Sequence, residues 1–146
     1  MTGEAQTNPD TSWLELDRFR SRPDGTSEFV RARMPAGETR ALVDHGGDKT
    51  AFMSAAFASP NIRMVLLPEG LNQPPHPAPE PQIVVVLKGK VEVATSDGTT
   101  KRWGPGDAFI ASDHDGIGHE TRVLEGPACV LFIPFDRSVD LNAWTI

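Results

Sequence analysis

Short apolar runs, each closed by a turn bearing glycine or proline, recur along most of this chain. Runs near residues 28–33, 40–44, 50–58, 62–67, 82–88, 90–95, 99–103, 107–111, 119–124 and 128–133 read as strands. They are short and rich in β-branched and aromatic residues, and none sustains a helical period. The stretches PAGE, HGGD, ASPN, PEG, SDG, GPGD, DGIGH and EGP separate them with turn chemistry. Residues 83–87, IVVVL, are apolar throughout and predict a strand buried on both faces. VEVATSDGTTKRW predicts a hairpin with Asp97-Gly98 at its tip. Upstream, WLELDRF at 13–19 suits one helical turn or a short packing segment. Downstream, Leu141, Trp144 and Ile146 could pack back on the sheet or on a partner subunit. With no internal repeat and no long amphipathic helix, the pattern predicts one all-β domain, an antiparallel sandwich or barrel. It spans residues 13–146 behind a loose polar tail at 1–12.

Composition narrows the class of protein. A chain of 146 residues with a net charge of −6 is long enough for one real core, and its charge disfavours nucleic acid and anionic membrane surfaces. No apolar run approaches the length of a membrane span. The N-terminus has neither the basic start nor the apolar segment of a secretory signal, and the single cysteine excludes an internal disulfide. Together these predict a cytoplasmic protein. Cys129, in ACVLFIPF, reads as a small apolar strand residue. Met34, Met53 and Met64 read as core filler, and Trp103 as barrel packing.

Candidate chemistry concentrates in HPAPEPQIVVVLKG, residues 76–89. Prolines at 77, 79 and 81 remove three backbone donors, which a central strand does not tolerate. His76, Ala78 and Glu80, each before a proline, are pushed to extended geometry. The segment therefore predicts an extended bend leading into a strand at Gln82. On a straight strand six residues span roughly 20 Å. Only a bend could aim His76 and Gln82 into one cavity.

GLNQPPHPAPEPQIVVVLKG resembles the first motif of the cupin superfamily, in which Gly, five residues, His-x-His, three or four residues, Glu, six residues and Gly follow in order. Gly70, His76 and Gly89 fall in place; Ala78 stands at the second histidine and Gln82 at the glutamate. Pro105-Gly106-Asp107 and His119 resemble the second motif, with a somewhat longer loop before the histidine. The chain also resembles a branch of small single-domain bacterial cupins with an HPAP…Q first motif and a second motif carried here by Asp113, Gly116, Gly118 and His119. The resemblance covers about residues 62–133. It implies a single jelly-roll β-barrel with short terminal extensions and a central pocket. In cupins with the full motif, two histidines, the glutamate and the later histidine bind a divalent metal; carried over by position, His76, Gln82 and His119 are the candidates here.

Two readings of these residues stand. A divalent transition metal (Fe, Mn, Ni or Zn) would gain no anionic ligand from two imidazoles and an amide, and Glu80 or Asp113 could supply one as an extra ligand. Without a metal, His76 and His119 could act as a proton-transfer pair, with Gln82 orienting a carbonyl or hydroxyl. That chemistry suits an isomerase, cyclase or lyase acting on a small organic substrate. A metal-dependent dioxygenase-like cupin and a non-catalytic barrel binding a small ligand are the alternatives. Asp113 also suits organising its own loop through bonds to backbone, and His45, His114 and Asp115 read as loop tips in water. Similar cupins suggest a homodimer.

Overall fold

The computed structural model describes residues 10–146. Ten strands run Glu15–Ser21 (β1), Ser27–Arg33 (β2), Ala36–Leu42 (β3), Lys49–Ser54 (β4), Arg63–Leu67 (β5), Asn72–His76 (β6), Gln82–Thr95 (β7), Thr100–Trp103 (β8), Ala108–Ser112 (β9) and His119–Pro134 (β10). Short 3₁₀ turns at Thr11–Leu14 and Leu141–Trp144 flank them. The all-β expectation therefore holds, and no described helix is long and apolar enough to cross a membrane. Residues 1–9 of the expected tail lie outside the described residues; the rest enters the first 3₁₀ turn, where the Asp10 carboxylate accepts from the Ser12 amide.

One eight-stranded sheet follows the order β2-β1-β9-β7-β10-β5, with β6 also on β10 and β8 also on β7; β3 and β4 form a separate hairpin. The ladder does not close on itself, and the nearly all-β arrangement is consistent with the expected jelly roll. Enclosure comes from two long strands that fold over. β7 pairs with β9 through Gln82–Val85 and with β8 through Val91–Ala94. β10 pairs with β6 near His119–Arg122 and with β5 over Ala128–Phe132. The expected strands 82–88 and 90–95 are thus one bent strand, as are 119–124 and 128–133. The bend in β7 is at Gly89 (φ +81°), where a side chain would run into Glu125 and Ala128 of β10. The β7–β10 register shifts at the same level.

Burial on both faces of β7 and β9 follows from their central position. Val84 and Phe109 face one apolar cluster with Phe19, Val91, Val93 and Trp103. Ile83 and Ile110 face the other, with Phe135, Leu141 and Trp144. The C-terminal residues Leu141 and Trp144 thus pack on their own chain, while the Ile146 side chain stays exposed.

The segment 13–19 departs from expectation because most of it is strand β1, held between β2 and a parallel β9. Its alternation was masked by a buried charge. Phe19 points to the first cluster, whereas Arg18 lies buried on the opposite face. The Arg18 guanidinium donates to the Ser112 hydroxyl (2.7 Å), the Leu141 carbonyl (3.1 Å) and the Thr145 hydroxyl (3.2 Å), which ties the C-terminal turn to the sheet. β6 was masked by Pro74 and Pro75, tolerated because it pairs on one side only. Met64 is not core filler: with Leu66 it stands on the outer face of β5, 69% and 67% exposed, while Val65 and Leu67 pack inward.

A second glycine governs the site. Gly118 (φ +86°) lies directly against the backbone of His76 and Pro77, where a Cβ would overlap the His76 carbonyl. Gly118→Ala is expected to cost about 2 kcal/mol or more, combining a strained φ with a backbone collision. Chemical denaturation checks this, and a change under 0.5 kcal/mol would show that the approach of β6 to residue 118 is not obligatory.

Candidate functional site

The proline bend does what its composition predicts. β6 ends at His76, residues 77–81 form no ladder, and β7 begins at Gln82. Residues 77–81 retain backbone N–H groups only at Ala78 and Glu80. The Ala78 N–H donates to Asp113 Oδ1 at 3.1 Å. The other carboxylate oxygen, Oδ2, lies 2.7 Å from His119 Nδ1. Asp113 is fully buried, so its two oxygens bridge the bend and the first residue of β10 in a site closed to water.

This bridge sets the proton on His119. A carboxylate only accepts, so Nδ1 carries the hydrogen and Nε2 keeps a lone pair in the neutral ring. His76 is arranged alike: its Nδ1 lies 2.9 Å from the Pro74 carbonyl, which also only accepts. The two rings face each other across the β6–β10 pairing, with centroids 4.6 Å apart and planes at 48°. Phe19 packs on the other side of His119 at 4.5 Å. Both histidines therefore hold Nδ1–H against backbone or carboxylate and leave Nε2 as the basic nitrogen.

The rings line a cavity of about 280 Å³ inside the folded sheet. Its walls are largely apolar, from Phe19, Val84, Val93, Phe109, Val130 and Phe132. Gln82 joins them at the start of β7, 6% exposed, as expected of a motif residue. Ala78, at the position of the missing histidine, is buried there too. Gln73 and Thr121, opposite each other on β6 and β10, add two polar groups that sequence reasoning missed. No alternation signals them: Gln73 and His76 are three residues apart and reach one cavity only because the β6–β10 register shifts between them.

Other candidates fall elsewhere. Glu80 lines a separate outer groove with Arg18 and Arg137. His114 lies on that groove as well, and Asp115 and His45 are exposed. Cys129 is half-buried in β10, and Trp103 stacks on Phe109 with centroids 4.1 Å apart, a packing role.

The donors that face the cavity are all neutral. Two imidazole nitrogens and the amide oxygens of Gln82 and Gln73 offer no negative charge. Both oxygens of Asp113 are engaged, and Glu80 faces the outer groove. No group of three or more His, Cys, Asp or Glu side chains able to hold a metal ion occurs among the described residues.

The folded sheet is nearly all β and brings both motif histidines to one cavity, an arrangement consistent with a jelly roll. No known protein family's sequence profile matches the chain, and no curated protein matches it in sequence. Among solved structures it is similar to DMSP lyase DddQ from Ruegeria pomeroyi DSS-3, at 23% identity and a TM-score of 0.39, over 70% of this chain and 49% of that one. The chain thus spans about half the length of that lyase. It is also similar to the Schizosaccharomyces pombe Cnp3 cupin domain, at 18% identity and a TM-score of 0.41, over 71% of this chain and 90% of that one.

The Asp113 bridge makes a specific prediction. An amide offers one acceptor where the carboxylate offers two, so Asp113→Asn keeps the Ala78 bond only by turning its NH2 to His119 Nδ1, which opposes two donors or moves the ring proton to Nε2. The expected loss is about 1–3 kcal/mol, from the opposed donors or from the lost charge-assisted bond to the ring. Urea denaturation at neutral pH should show a lower midpoint with an unchanged slope. A midpoint equal to wild type would mean that the bridge does not hold the site.

Proposed function

We propose that the protein modifies a small organic molecule inside this cavity by proton transfer, as an isomerase, cyclase or lyase. The observation that carries the reading is His119, with Nδ1–H held by a fully buried carboxylate and Nε2 without a protein partner among the described residues. A base so oriented can take a proton from carbon next to a carbonyl, and the resulting imidazolium is stabilised where it forms by Asp113. It then returns the proton to the neighbouring carbon. His76 Nε2 accepts the proton of the substrate's hydroxyl and gives it back to the other oxygen. The Gln82 amide donates to the oxygen on which negative charge develops. A cavity of about 280 Å³ restricts the substrate to a small metabolite.

The test follows the proton. A panel of small α-hydroxy ketones in D2O, followed by NMR, should show deuterium entering beside the carbonyl faster than in buffer. His119→Gln should slow this by about 10²- to 10⁴-fold, the usual contribution of general acid–base catalysis. Bound compounds that never exchange would favour a binding protein instead, and equal exchange by wild type and variant would remove His119 from the chemistry.

The assembly we propose is a homodimer through β5. This strand ends the sheet, with no neighbour beyond it among the described residues, and its outer face carries Met64 and Leu66. Two such edges can pair antiparallel in a self-complementary twofold contact. Sedimentation equilibrium at micromolar protein should return a dimer mass, and Met64→Glu combined with Leu66→Glu a monomer mass. A monomeric wild type would refute the dimer.

A further inference from the structure

We infer that the cavity takes an uncharged molecule with an apolar body and a carbonyl or hydroxyl oxygen, and that Gln82 is the residue that selects it. The inference rests on the cavity being the working site, though not on proton transfer as its chemistry.

The first ground is electrostatic. No Lys, Arg, Asp or Glu side chain lines the cavity among the described residues. Charges near it are already committed on the outside of the sheet: Glu92, buried beside Val91 and Val93, pairs with Arg102 at 2.8 Å and Arg122 at 3.1 Å. The charge closest to the cavity is the Asp113 carboxylate behind His119, whose field opposes an anion. A carboxylate or phosphate entering would lose its hydration and meet no fixed cation. An ammonium would meet only imidazoles and amides, because both Asp113 oxygens are already taken.

The second ground is an orphaned amide. The Gln82 side chain is 6% exposed, lines the cavity and has no hydrogen-bond partner among the described residues. Buried side-chain polar groups are nearly always paired, and one left open on a cavity wall is a recognition group waiting for its partner. Its NH2 can donate to a carbonyl and its oxygen can accept from a hydroxyl, which matches a neutral oxygen function and no formal charge. Gln73 and Thr121 add a second neutral polar pair. Sites built to bond an oxygen reject analogues that lack it, because the amide would then stay buried and unpaired.

Three ring compounds of similar size supply the test: 2-hydroxycyclohexanone, cyclohexanecarboxylate and cyclohexylammonium. Binding to the full chain is measured by protein-observed NMR at neutral pH, with deuterium exchange followed in the same samples. The neutral compound should shift the side-chain signals of Gln82, His76 and His119 and bind at least tenfold more tightly than either ion. Gln82→Leu should weaken it at least tenfold while raising the melting temperature, since an unpaired buried amide is replaced by an apolar side chain of similar size. Gln82→Glu should also weaken the neutral ligand and shift preference toward the ammonium, a response that a purely structural glutamine would not give. Either ion binding as tightly as the neutral compound, binding of none of the three, or a lower melting temperature for Gln82→Leu would overturn the inference. Selective binding without deuterium exchange supports it and counts only against the proton-transfer reading.

Discussion

A buried carboxylate needs partners for both oxygens, and in this molecule Asp113 finds them on two segments that the β6–β10 pairing brings side by side. One is the Ala78 amide, in a bend nearly emptied of donors by its prolines; the other is His119, at the start of β10. Because an ionised, solvent-free carboxylate left half-paired is costly, the bend and the strand are bound to each other by the same group that sets the histidine's tautomer. Gly118 is the steric counterpart: only a residue without Cβ lets the His76 backbone come so close. The position of the bend and the tautomer of His119 thus share one local constraint, while His76 takes its tautomer from the Pro74 carbonyl.

The sheet around this constraint separates its chemistry by face. Arginines and acidic residues pair along the outside, as Arg31 and Arg33 do with Glu15 and Arg102 and Arg122 do with Glu92. The inner face of the fold keeps aliphatic and aromatic walls with a few neutral polar groups. Such an interior suits bases whose lone pairs are exposed to a ligand and shielded from bulk water. Two imidazoles are gathered on that inner face beside neutral amides and a hydroxyl.

Most of the strands were legible because alternation and turn residues act locally. The hairpin tip at Asp97-Gly98 is an example, where Asp97 accepts from the Thr99 amide and the Thr95 hydroxyl. β1 and β6 were illegible for opposite reasons. In β1 a charged residue, Arg18, occupies a buried position because distant acceptors on Ser112, Leu141 and Thr145 satisfy it. In β6 two prolines resemble a loop, and only the one-sided pairing makes them acceptable. Gln73 and Thr121 stayed hidden with it. Met64 was misplaced because an apolar side chain does not announce which face of an edge strand it occupies.

Residue order alone determined the all-β class, the bend at 77–81 and the candidacy of His76, Gln82 and His119, since proline chemistry, strand periodicity and motif spacing are written along the chain. It left the part played by Asp113 open between metal ligand and loop organiser, and that of Gln82 between metal ligand and orienting group. Tertiary structure supplied the contacts, because hydrogen-bond satisfaction is a property of neighbours in space: it joined Asp113 to a histidine six residues away and to an amide thirty-five residues away. The same folding left the Gln82 amide on the wall of a cavity, with no hydrogen-bond partner among the described residues.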